Sequence, residues 1–66
     1  MKIRIKTYNG ELPSYLTVGK VYEVVLFSIH GDPRFITDDD FFLTVDMDDS
    51  STLNGGSWEI VNDAGF

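Results

Sequence analysis

The 66-residue chain carries eleven carboxylates against five basic side chains, a formal net charge of −6, and has no cysteine. A chain this short has room for one hydrophobic core and buries only about 60% of its unfolded surface. The missing cysteine excludes disulfides and thiolate metal sites, and the acidic balance argues against nucleic acid or anionic membrane as a partner.

Residues 2–8 alternate polar and apolar, with Ile3 and Ile5 on one side and Lys2, Arg4 and Lys6 on the other, which predicts a half-buried strand. Asn9 and Gly10 open a turn, and Pro13 with Ser14 keeps the next stretch irregular. Val21, Tyr22, Val24, Val25 and Phe27 predict a second strand over residues 20–27. Tyr22, Val24 and Leu26 are expected to face inward, because the opposite side (Val21, Glu23, Val25, Phe27) holds a carboxylate that is costly to bury unpaired. Just before this strand, Gly19 is expected at positive φ or at a close backbone approach.

Residues 28–33, with His30, Gly31, Asp32 and Pro33, read as a turn, and residues 34–37 as a short third strand. Asp38, Asp39 and Asp40 form a tight connection whose carboxylates are all expected in water. Phe41, Leu43, Val45 and Met47 then alternate with Phe42, Thr44, Asp46 and Asp48, a fourth strand with one apolar face. Residues 48–57 are expected to be the longest loop, with Gly55 and Gly56 breaking any pairing there. A last strand over residues 58–61 puts Trp58 and Ile60 on one side, with Trp58 buried. Five short strands and no helical periodicity predict an all-β fold, a small barrel of antiparallel strands in a single domain over residues 1–66.

Charge is unevenly divided. All five basic residues lie in the first 34 positions against three carboxylates, a net of +2, whereas residues 35–66 hold eight carboxylates and no cation. Asp46 to Ser50 resembles the start of a calcium-binding EF-hand loop, but Ser51 stands where the glycine is needed and Ser57 where the bidentate glutamate belongs. Neither this stretch nor the aspartate triplet is read as a metal site. His30 is the one histidine, and nothing places a nucleophile beside it. The Lys2, Arg4, Lys6 stripe with Tyr8 is read as a solvated strand face that balances the acidic half, not as a nucleic-acid surface.

The pattern Leu16, Val18, Gly19, Tyr22, Val24 resembles the turn and strand of SH3-like barrels. More narrowly, the basic first strand, the LTVGKVYEV segment, the acidic hairpin around Ile36 to Asp40 and the closing Trp58, Glu59, Ile60, Val61 resemble small bacteriophage-encoded proteins with an SH3-like β-barrel. The resemblance implies a phage accessory protein in the host bacterial cytoplasm and carries no catalytic signature.

The longest apolar run, residues 24–27, is far short of the ~18 residues of a membrane span, and residues 1–6 alternate charge with hydrophobe unlike a signal peptide. The expectation is a soluble, non-enzymatic protein without cofactor or metal. It binds a host protein with a basic surface, binding that could inhibit that protein, through Asp38, Asp39, Asp40, Asp46, Asp48, Asp49 and Glu59. The alternative is a structural homo-oligomer packed through an apolar interface of Val25, Phe27 and Phe42. Neither reading includes direct contact with nucleic acid or membrane.

Overall fold

The computed structural model describes residues 1–61. Strands β1 (Lys2–Thr7), β2 (Tyr22–Phe27), β3 (Pro33–Ile36), β4 (Phe42–Thr44) and β5 (Ser57–Val61) form one antiparallel sheet in the order β4-β3-β2-β1-β5. A single 3₁₀ turn, Ser51–Leu53, precedes β5. The all-β class and the five strands are as expected. Beyond the ladders, Trp58 N donates to Met47 O at 2.8 Å, tying the start of β5 to the chain that leaves β4.

Alternation sets the core. Ile3, Ile5, Tyr22, Val24, Phe35 and Trp58 project from four strands into one cluster, to which the connections add Leu16, Val45 and Leu53. Three rings form its centre: Tyr22 lies 4.8 Å from Phe35 and Phe35 lies 5.3 Å from Trp58, offset and tilted as aromatic quadrupoles prefer. Trp58 is 3% exposed, as expected, and its indole N–H donates to Ser50 Oγ at 3.2 Å. Gly19 has φ 87°, the left-handed conformation expected of it.

Three expectations need correction. Leu26 is not inward. Between β2 and β3 the register advances from Val24 to Leu26 while its partner moves only from Phe35 to Arg34, so Val25 is the extra residue of a bulge. The bulge reverses the alternation beyond it: Leu26 pairs with exposed Arg34, and Phe27 pairs with buried Pro33 at the sheet's rim. Trp58 and Ile60 share one side as expected, pairing with Ile5 and Ile3, and Ile60 on the edge strand β5 is 64% exposed.

Second, the longest connection is residues 8–21, not 48–57, which the 3₁₀ turn shortens. Leu16 is drawn out of any strand pairing and into the core by the turn in which its N–H donates to Pro13 O. Third, Gly56 does not end pairing. It bridges Ser50, and it lies so close to β1 that a Cβ there would sit 2.1 Å from Thr7 O. The ladder of β4 stops at Thr44, yet burial still alternates through Val45 and Met47, as the sequence pattern indicates.

Candidate functional site

The sheet leaves a continuous outer face on β2, β3 and β4. Ile36 pairs directly with Phe42, and Arg34 pairs with Thr44 on one side and Leu26 on the other. Leu26, Ile36 and Phe42 are 48%, 44% and 52% exposed, with bulge residue Val25 beside them. The Arg34 guanidinium sits 4.9 Å from the Phe42 ring centre, a cation–π contact across the strands. Of the residues expected to make an apolar interface, Val25 and Phe42 share this face. Phe27 belongs with Pro33 at the rim.

The turn joining β3 to β4 closes the Ile36–Phe42 pair. Thr37 N donates to Phe41 O at 2.9 Å and Asp40 N to Thr37 O at 3.0 Å, with Asp40 at φ 63°, which aspartate tolerates better than most residues. Asp39 and Asp40 are exposed at its tip, immediately adjoining the apolar pair. Asp46, Asp48 and Asp49 are exposed on the chain leaving β4, and these five carboxylates make no side-chain hydrogen bond or ion pair among the described residues.

Two members of the expected acidic surface are committed elsewhere. Glu59 faces Arg4 across β1 and β5, its Oε2 accepting from Arg4 Nε at 2.8 Å and lying 2.7 Å from Nη2. Asp38 does not point into water like its neighbours. Its carboxylate accepts from Thr17 Oγ1 at 2.6 Å, from the Lys20 ammonium, and from the Tyr22 hydroxyl at 3.2 Å, while that hydroxyl accepts from Thr17 N at 2.7 Å. This cluster pins the end of the residue 8–21 connection to the β3–β4 turn. The Lys20 hydrogen bond, helped by Thr17, holds the Asp38 carboxyl below its ordinary range; the same bond raises Lys20, and burial raises the Tyr22 phenol.

Asp63, the eighth carboxylate of the acidic half, lies outside the described residues. Among the described residues no three His, Cys, Asp or Glu side chains converge in a geometry suited to a metal ion. His30 is exposed in the turn before β3, where Ser28 Oγ accepts from the backbone N–H of His30 and Asp32.

The Asp38 cluster was legible from one signal: a tyrosine assigned to the inner face brings a hydroxyl that needs a partner when buried. Its partners lie 5 and 16 residues away, beyond any local pattern. No family model, curated protein or solved structure matches the chain. The class defined by its own geometry is a small, five-stranded all-β domain with an apolar outer sheet face bordered by an acidic turn.

Proposed function

We propose that the protein is a non-enzymatic binding module whose docking face is the outer surface of β2, β3 and β4 together with the acidic β3–β4 turn. The observation that carries this reading is the contiguity of exposed Ile36 and Phe42 with the uncommitted carboxylates of Asp39 and Asp40. An apolar centre bordered by unpaired charge fits a protein partner that presents apolar groups within a basic surface. The centre supplies affinity by excluding water, and the charges speed encounter and reject acidic competitors. Asp46, Asp48 and Asp49 extend the field, whereas Asp38 and Glu59 serve the fold.

The resemblance to small phage proteins supports a host protein as the partner and the bacterial cytoplasm as the setting, with inhibition of that host protein as the outcome. Immobilised protein exposed to bacterial lysate at low and high salt, beside the Asp39→Asn/Asp40→Asn and Phe42→Ser variants, tests the reading. A basic protein held at low salt and lost from both variants is the expected result; identical capture by all three chains contradicts it.

A second reading, a homo-oligomer packed through the same face, is supported by the exposed cluster of Val25, Leu26, Ile36 and Phe42. Sedimentation over a range of concentrations separates the two. Self-association abolished by Phe42→Ser selects the second, and a monomer throughout selects the first.

A further inference from the structure

The chain holds two Asn-Gly pairs, Asn9–Gly10 and Asn54–Gly55, and the fold brings them face to face. Asn9 Nδ2 donates to Asn54 O at 3.2 Å, while Asn54 Nδ2 donates to Asn9 O at 2.5 Å and to Glu11 O at 3.1 Å. With Asn9 N donating to Leu53 O at 3.1 Å, this clasp fastens the start of the residue 8–21 connection to the 3₁₀ turn. We propose that Asn9 is a site of spontaneous deamidation, that Asn54 is protected from it by the fold, and that reaction at Asn9 releases the clasp.

Asn-Gly is the dipeptide most open to this chemistry, because glycine puts no side chain in the way of its own nitrogen. The Gly10 nitrogen, its proton taken by solvent base, attacks Asn9 Cγ. The new N–C bond closes a succinimide, the Cγ–Nδ2 bond breaks, and the side-chain amide leaves as ammonia. Water then opens the ring on either side, giving aspartate or isoaspartate. No oxidant or reductant is needed.

The two pairs differ in what holds their reacting atoms. At Asn54 the nucleophile is engaged, Gly55 N donating to Ser50 O at 2.9 Å, and the departing amide donates to two carbonyls. Asn54 is further fixed at φ 56° as the residue that ends the 3₁₀ turn. At Asn9 the nucleophile is available: Gly10 N donates no hydrogen bond among the described residues, both residues are exposed, and a single bond holds the Asn9 amide.

The product undoes what Asn9 does. A carboxylate has no N–H to offer Asn54 O, so two acceptors face each other, and the new charge lies two residues from Glu11. Isoaspartate also inserts a methylene into the backbone between the two groups of residue 9 that anchor it. The chain thereby carries a slow, irreversible route to loosening the residue 8–21 connection.

The full chain, incubated at mildly alkaline pH with and without denaturing urea, tests the proposal by peptide mapping with enzymatic detection of isoaspartate. In the folded chain, product at residue 9 is expected to exceed product at residue 54 by about tenfold or more, the factor that ~1.4 kcal/mol of local protection supplies. In urea the two sites should react alike. Asn9→Gln, which keeps a terminal amide, should abolish product at residue 9 and most of the acidic species that accumulates in the folded chain. Equal reaction at the two sites in the folded chain, faster reaction at residue 54, no product at residue 9, or undiminished acidic species from Asn9→Gln overturns the proposal.

Discussion

Tyr22 donates its hydroxyl proton to Asp38 across 3.2 Å, so a ring seated in the core ends on the carboxylate that begins the acidic turn. The bond joins the all-apolar centre to the edge of the proposed docking face. It also explains why adjacent aspartates have different roles: Asp38 anchors the turn, leaving Asp39 and Asp40 exposed at its tip.

Tyr22→Phe keeps the ring and removes the hydroxyl, leaving Thr17 N and Asp38 each short of one partner. The expected loss is about 1 kcal/mol, the net worth of an ordinary hydrogen bond. Urea denaturation should register it as a lower midpoint with an unchanged slope. A midpoint equal to that of the natural chain contradicts the assigned role.

The same cluster sets a pH dependence at both ends. Asp38 is held below its ordinary 3.8, so its contribution is fully present above that value and disappears as pH falls through the depressed value. Lys20 is raised above 10.5 and Tyr22 above 10.0, so their contributions hold below those values and are lost as pH rises through the raised ones. Thermal melts from acid to alkaline pH should therefore show a plateau between the two edges. Asp38→Asn should flatten the acid edge; an unchanged acid edge removes Asp38 from the account.

Two glycines should fail for different reasons. Gly19 faces open space, so Gly19→Val meets only the strain of φ 87°, about 1–2 kcal/mol. At Gly56 an added Cβ would sit 2.1 Å from the Thr7 carbonyl oxygen, and β1 and β5 would have to separate. Gly56→Ala should therefore destabilise more than Gly19→Val despite adding fewer atoms. The reverse order of melting temperatures contradicts the close approach.

Trp58 ties Tyr22, Phe35 and Ser50 together. Truncation to Ala should cost roughly 3–5 kcal/mol, enough to unfold a domain this small at room temperature. The natural chain should show the blue-shifted fluorescence of a buried indole. Emission at the wavelength of indole in water refutes its placement.

Strand alternation made the sheet legible because burial in a pleated strand has a period of two: Ile3, Ile5, Tyr22, Val24 and Trp58 all face the core side that the pattern assigns them. The pattern fails at Leu26, since a bulge adds one residue without any mark in composition. The proposed docking face was half legible. Charge counting found its acidic turn, but only the register of β3 with β4 sets Phe42 beside Ile36 and Arg34. That Asp38 and Glu59 are engaged by Lys20 and Arg4 is a tertiary fact that no local spacing announces.

In the proposed function the Asp39–Asp40 turn and the Ile36–Phe42 pair act together as one docking face. Its most direct measurement is the association and dissociation rate of the captured partner with three chains, the natural one, Asp39→Asn/Asp40→Asn and Phe42→Ser, as ionic strength is raised. The double variant, with Asp38 and its anchoring bonds intact, should associate more slowly with a flatter salt dependence, and Phe42→Ser should chiefly hasten dissociation. Equal rates and equal salt slopes for all three chains would contradict a shared docking face.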